Sequence, residues 1–450
     1  MVARTVSNLF NKNNMLQCQP KCVSHIAYIA VGRLSHPSEI PFMLSTISRT
    51  NKIAFSATRA VMILSLAVAS IAIAAFAHAQ SPAQSLTRPI TQAKPAAQPV
   101  VIDQRSTAIA QLLGGIVPAP GNPDVDKIAV SDAWLKHKEI MTTEWKKVRA
   151  RIDTMEKWRD AEIKLKDAQK RTLLYPFSGP DFINAWALFP NHARYMFFGL
   201  ESPGALPEIE KLGPAELEVL LRDVRNALDE IIQRNYFITS YMGKELTSPY
   251  FRGTVPIMSM MMALDGLHIV KIERIDLFPE LTRAYEDPKA AKRSGKLMRS
   301  ARMVFTVPNS GRTHELYYFS LDAADRALQF YPEFNDWLAK QTPASALLKS
   351  ASYLLHDGQF AKTREMVLAT ADILVQDDTG VPYRYIKQAN WQVKVFGKYN
   401  RPIKPMEWGY QRDLDALFKE QAEAKPLPFP FGYHWRGEQS GLILANRPTN

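Results

Sequence analysis

The sequence predicts an α/β fold, a layered body with a mixed sheet flanked by helices, preceded by a long N-terminal helix and a flexible tether. Three observations carry that reading. Short apolar and aromatic runs alternate with stretches of helical periodicity from Arg171 onward, as a layered α/β body requires. A polar segment with apolar residues at helical spacing stands just before them. Upstream of that, the composition turns to Ala, Pro, Gln and Ser, which cannot bury enough apolar surface to offset the entropy of ordering.

In chain order, residues 1–42 form a leading segment that fits no targeting pattern, and translation is expected to begin at Met43. From 43 to 79, Arg49, Lys52 and Arg59 precede an apolar run that closes on Ala77-His78-Ala79. A positive region, an apolar core and a small-x-small ending predict a signal peptide cleaved after Ala79, hence a periplasmic or secreted protein with no stable membrane span after cleavage. The other reading of the run is a membrane anchor near the lower length limit.

Residues 80–126 read as the tether and 127–170 as a helical segment capped by Ser131 or Asp132, with Trp134, Met141, Trp145, Val148, Ile152, Met155 and Trp158 on its apolar stripe. Residues 171–450 read as a single α/β domain. Thr172 to Phe177 and Ala193 to Leu200 are short enough and apolar enough for buried strands, and Ser178-Gly179-Pro180-Asp181 between them can start a helix. Pro214 to about Tyr241 predicts a long amphipathic helix, Pro256 to Leu264 a short one, and His268 to Leu277, Arg302 to Val307 and His314 to Ser320 three strands. Two helices are expected between Ala344 and Ala371, flanking a turn at His356-Asp357-Gly358, before a strand at Ile373 to Val375. The last eighty residues, rich in aromatics and proline, are expected to pack against the body.

Charge and cysteine content bound the chemistry. The formal charge is +12, but residues 1–79 hold seven of the Lys/Arg and one acidic residue, so the remainder falls to near +6. No dense basic run accompanies it, which argues against nucleic acid and leaves room for a small polar molecule or an anionic envelope polymer as partner. Both cysteines, Cys18 and Cys22, precede Met43, so the exported chain has no disulfide, thiolate metal site or cysteine nucleophile. Its six histidines show no paired metal spacing, and no motif names a metal or cofactor.

The candidate site residues come from strand ends. Asp377 and Asp378 follow an apolar strand, where ligands of open α/β sheets bind, and one of them can serve as a base. The competing reading has them bond backbone amides of the Thr379-Gly380 turn or pair with Arg384. Asp378-Thr379-Gly380 matches the aspartic-protease triplet, but there is no second copy. Ser178, His356 and Asp378 can be written as a catalytic triad and Asp377, Arg384 and His434 as ligand contacts, subject to their meeting in space. The C-terminal Trp and Tyr residues are either packing anchors or faces on which sugar rings stack.

The segments YPFSGPDFINAWALFP, SYLLHDGQF and DDTGVPYRY with the following W-x-V-x-x-FGKY are similar to a group of exported bacterial proteins without an assigned function. The resemblance covers about Arg171 to the C-terminus. It implies continuity of fold and carries no chemistry. The function expected from the sequence is therefore binding, with hydrolysis open, of a small polar ligand in an α/β cleft; the alternative is a noncatalytic envelope or glycan-binding protein.

Overall fold

The computed structural model describes residues 100–238, 246–275, 299–421, 426–435 and 440–448. The leading segment, the signal peptide and the first part of the tether lie outside these residues. Among the described residues, nine strands form one mixed sheet. They are β1 (Thr172–Tyr175), β2 (Arg194–Gly199), β3 (His268–Arg274), β4 (Arg299–Thr306), β5 (Thr313–Ser320), β6 (Ala344–Leu348), β7 (Ala371–Gln376), β8 (Gln392–Gly397) and β9 (Gly441–Asn446), in the spatial order β3-β4-β5-β2-β1-β6-β7-β9-β8.

The five central strands, β5-β2-β1-β6-β7, are parallel, and an antiparallel pair extends each side. Strands buried on both faces lose the usual alternation, and Thr172-Leu173-Leu174-Tyr175 is buried at all four positions. Leu173, Tyr195, Phe197, Leu316 and Tyr318 face one core, while Leu174, Met196, Phe198 and Phe319 face the other. Helices cover both, giving three layers.

On the first face lie α1 (Gln104–Leu113), α2 (Pro123–Ala129), α3 (Asp132–Glu162), α4 (Phe182–Leu188), α5 (Pro214–Arg234) and α6 (Val255–Leu264). Ser131 caps α3 by accepting the Trp134 amide at 3.3 Å, and Trp134, His137, Met141, Val148, Ile152, Met155 and Trp158 form its buried stripe. Helix α5 starts at Pro214, where Glu216 accepts the Gly213 amide at 2.7 Å, and ends on Asn235 in the left-handed region. The opposite face is covered by α7 (Asp325–Leu328), α8 (Pro332–Ala339), α9 (Ala361–Thr370) and α10 (Tyr383–Gln388); α11 (Arg412–Glu420) packs Leu414 on Val395 and Ile443. No helix among the described residues is long and apolar enough to cross a membrane.

Four expectations are corrected. The tether does not extend to 126: α1 is buried against α6, and its last carbonyls accept the Trp134 Nε1 proton at 2.9 Å and bond His137 Nε2 at 2.8 Å. Ile109, Leu112 and Leu113 supply the apolar stripe that the flanking Pro and Gly residues masked in a composition reading. Helix α3 stops at Glu162, because Ile163 turns extended and buries its side chain, and α5 stops at Arg234. Ala344 to Leu348 is a strand: it is enclosed between β1 and β7, and burial on both sides overrides the helix preference of Ala and Leu. The aromatic C-terminal region contributes β8 and β9 to the sheet edge as well as irregular packing.

His192 is completely buried beside the sheet, with Nε2 at 3.0 Å from Ser345 Oγ, and its backbone carbonyl accepts from His314 Nδ1 at 2.7 Å. Burial drives its pKa down to about 3. The unfolded chain then takes up a proton near pH 6.5 that the folded chain refuses until about pH 3. His192 therefore contributes stability above pH 6.5 that is lost as pH falls through this window, by up to about 1.4 kcal/mol per pH unit. Buried Asp265 and Asp378, both raised to about 7, act in the opposite direction, so the difference between wild type and His192→Gln isolates the histidine. Urea midpoints of the two proteins are expected to fall with different slopes between pH 6.5 and 4; parallel curves would refute the assignment.

Candidate functional site

The parallel strands put their carboxyl ends on one edge. After β1 the chain moves outward through α4 to β2, whereas β6 enters on the other side of β1 and leads to β7. This reversal between β1 and β6 is where open α/β sheets form a crevice. Here it is filled by the chain itself.

Lys349, the first residue after β6, places Nζ 2.8 Å from Asp181 Oδ2, and both side chains are at most 3% exposed. Asp181 caps α4 and also accepts the Tyr175 hydroxyl at 2.8 Å and Asn184 Nδ2 at 2.8 Å. Lys349 additionally donates to the Asn235 carbonyl, tying the end of α5 to the sheet. Burial lowers the Lys349 pKa while Asp181 raises it, and burial pushes the Tyr175 hydroxyl well above its ordinary range. Arg151, held by the Ile231 and Ile232 carbonyls at 3.1 and 3.2 Å, adds a second cation, its pKa brought down to about 10 by burial against the pull of Asp181. With the Lys349–Asp181 pair buried and tied to β1, β6 and the ends of α4 and α5, this cluster is a pin.

The loop after β6 holds three non-glycine residues with positive φ, Ser350, Ser352 and Tyr353. Strain of this kind persists only where the surroundings impose it. Asp377 imposes it from one side: its carboxylate accepts the Ser350 amide at 2.9 Å, the Thr379 amide at 3.0 Å and the Thr379 hydroxyl. From the other side the Tyr353 hydroxyl donates to Asp378 Oδ2 at 2.5 Å. Burial, reinforced by the neighbouring Asp377 carboxylate, raises the Asp378 pKa to about 7.

Beyond this loop opens a polar cleft of about 270 Å³, lined by His356, Arg384, Trp408, Tyr410, Arg412 and Asp413 together with Pro382 and Gln411. Gln411 builds its wall, accepting the Tyr383 amide at 2.7 Å, donating to the Asp378 carbonyl at 2.9 Å and giving its own amide to the Tyr399 hydroxyl at 2.9 Å. Trp408 is 48% exposed and stands edge-on to Tyr353 at 5.7 Å. Gly409 makes that approach possible, since a Cβ there would lie 2.4 Å from the Tyr353 ring.

The His356 ring bonds the Asp378 backbone, and because Nε2 has no hydrogen-bond partner, the bond is made by Nδ1. Nε2 is therefore the bare acceptor nitrogen. Burial, then the Arg384 and Arg364 charges, take its pKa down to about 4, so the ring is neutral at pH 7. Neither Arg384 nor Arg412 has a carboxylate partner among the described residues; Arg384 lies over Tyr385 at 4.8 Å.

Of the residues singled out from sequence, His356 and Arg384 line the cleft, and Asp378 borders it through its carbonyl and Tyr353. Ser178 does not join them: its hydroxyl donates to the Phe198 carbonyl and accepts the Phe198 amide, both at 3.2 Å, so the triad of Ser178, His356 and Asp378 is not formed. Asp377 follows the amide-bonding alternative and does not pair with Arg384. His434 sits in the bridge with Phe431 and does not line the cleft. Lys349, Arg412 and Asp413 were missed. Only the run Trp408-Gly409-Tyr410-Gln411-Arg412-Asp413, mixing aromatics with both charges, signalled the last two.

A second cavity, about 240 Å³ between α8 and α9, is lined by residues that include Leu321, Leu328, Phe334, Leu338 and Met366 and is mainly apolar. Among the described residues no group of three His, Cys, Asp or Glu gathers to hold a metal ion. The fold and cleft define an α/β sheet protein with a polar, arginine-lined recess at its carboxyl edge. Compared with known proteins, the chain matches no family model, no curated protein and no solved structure.

Proposed function

We propose that this chain is an exported binding protein whose ligand is a small polar anion held in the cleft between Arg384 and Arg412. The supporting observation is a pair of guanidiniums without carboxylate partners among the described residues, on one concave polar surface that a neutral histidine also lines. Guanidinium forks match carboxylate and phosphate geometry, and a cleft with an excess of one charge sign concentrates the opposite one. Asp413, on the same surface, limits the excess to one positive charge and offers an acceptor for ligand hydroxyls. The leader from Arg49 to Ala79 supports work in the periplasm or outside the cell.

Binding is favoured over hydrolysis. Ser178 spends both hydrogen-bonding capacities on Phe198, and the Asp378 carboxylate is held by the Tyr353 hydroxyl. Calorimetric titration with inorganic phosphate and with acetate at low salt tests the reading. The double variant Arg384→Gln/Arg412→Gln is expected to weaken the tighter of the two by about tenfold or more, the value of one lost charge-assisted pair. Both side chains are exposed, so the variant keeps its fold. Absence of heat with wild type, or equal affinity in the double variant, would overturn the proposal.

A further inference from the structure

Resting on the anion-site reading, we propose that the ligand is an acidic monosaccharide, a single pyranose ring bearing a carboxylate. A bare inorganic anion uses the guanidiniums but gives no role to Trp408, whose ring is half exposed at the cleft and fixed in orientation by edge contacts with Tyr353 at 5.7 Å and His356 at 6.4 Å. Tyr410, on the same surface, is held by stacking on Tyr399 at 5.8 Å and 12°. Aromatic faces carry negative charge density and attract polarised C–H groups, and one face of a pyranose is a patch of such groups.

The polar side chains divide correctly for the rest of a sugar acid. Arg384 and Arg412 have donors only, suited to the carboxylate, whereas the Asp413 carboxylate accepts from ring hydroxyls. Size then decides between a sugar acid and a nucleotide, which also combines a stacking face with an anion. The cleft, at about 270 Å³, lies below the roughly 300–1,000 Å³ of pockets that enclose drug-sized ligands. One six-membered ring fits that scale; base, ribose and phosphate together exceed it.

Tryptophan fluorescence and calorimetric titrations with glucuronate, glucose, inorganic phosphate and adenosine monophosphate, on wild type, Trp408→Ala and Arg384→Gln/Arg412→Gln, test the proposal. Glucuronate is expected to bind wild type about tenfold more tightly than either glucose or phosphate, with a fluorescence change; Trp408→Ala is expected to remove most of that advantage, weakening glucuronate far more than phosphate. If glucuronate and phosphate bind equally and Trp408→Ala alters neither, the sugar assignment falls while the anion site stands. Tighter binding of adenosine monophosphate than of glucuronate also overturns it. If no anion binds, or the double arginine variant binds all of them as wild type does, the underlying reading falls as well.

Discussion

Asp181→Ala is expected to destabilise the folded domain by about 3–5 kcal/mol, the cost of leaving one member of a buried ion pair without its counter-charge. Four donors lose their acceptor at once: Lys349 Nζ, the Tyr175 hydroxyl, Asn184 Nδ2 and the Asn184 amide, all buried. Arg151 loses the carboxylate whose charge offsets its own desolvation. Denaturant unfolding should show the loss as a lower midpoint at unchanged slope. Adding Lys349→Met to Asp181→Ala is expected to restore much of the stability, because a buried cation is then exchanged for an apolar chain of similar length. A single-variant loss below about 1 kcal/mol, in the range of exposed ion pairs, would show that the cluster does not pin β1, β6 and α5 together.

The second large effect is expected at Asp377. Alanine there leaves the Ser350 and Thr379 amides and the Thr379 hydroxyl without their shared acceptor, at about 1–3 kcal/mol for each buried group left unmade. A total near 3–5 kcal/mol follows, the low part of that sum, because the Thr379 hydroxyl keeps the Ala351 amide that it already accepts at 2.7 Å. The C-terminal segment gives an internal control. Gly432 has φ +71°, and a Cβ there would lie 2.1 Å from Asp377 Oδ2. Gly432→Ala is expected to cost about 2–4 kcal/mol in wild type, combining left-handed strain with overpacking, and less in the Asp377→Ala background, where the carboxylate is gone but the strain and a 2.9 Å approach to the Cβ of residue 377 remain. A double-mutant cycle measures the difference. Additive losses would show that Gly432 does not press on the carboxylate.

These two clusters explain why the cleft stands where it does. The reversal between β1 and β6, the usual ligand crevice of an open sheet, is closed by Lys349 and Asp181, and the Asp377 side is covered by Gly432 with Tyr433, whose hydroxyl donates to the Ser350 carbonyl at 3.0 Å. The open space is displaced toward the Tyr353 to His356 turn and the start of α11. Strain at Ser350, Ser352 and Tyr353 is the local cost of that displacement, and it aims Tyr353 at Asp378 and sets His356 against the Asp378 backbone. Pinned loops of this kind suit a binding recess, whose ligand contacts depend on fixed side chains.

Local pattern was enough for most strands of the parallel core. Thr172 to Tyr175 and Arg194 to Gly199 are continuous apolar runs between turn signals, a pattern that follows from burial on both faces and needs no knowledge of neighbours. The same holds for the stripes of α3 and α5 and for the amide-bonding alternative at Asp377, where Asp-Asp-Thr-Gly is a turn signature in its own right. Ala344 to Leu348 is a strand against its local preference because Ala and Leu favour helix unless a strand lies on each side, and β1 and β7 arrive from 172 residues upstream and 27 downstream in the register pairs Thr172 with Ala344 and Ala344 with Ala371.

The sequence by itself determined the α/β class, the buried strands, the long amphipathic helices and the residue types available for chemistry, because these depend on periodicity, length and composition within short windows. Only the tertiary structure decided which polar residues share a surface. Ser178 and Asp181 looked equivalent as helix-starting residues, yet one is spent on the Phe198 backbone and the other neutralises a lysine 168 positions away. Arg384 and Arg412 acquire a common purpose from the Gln411 hydrogen bonds that draw α10, the Asp378 turn and α11 together. Proximity of that kind is set by how the layers pack over the whole chain, and no local pattern encodes it.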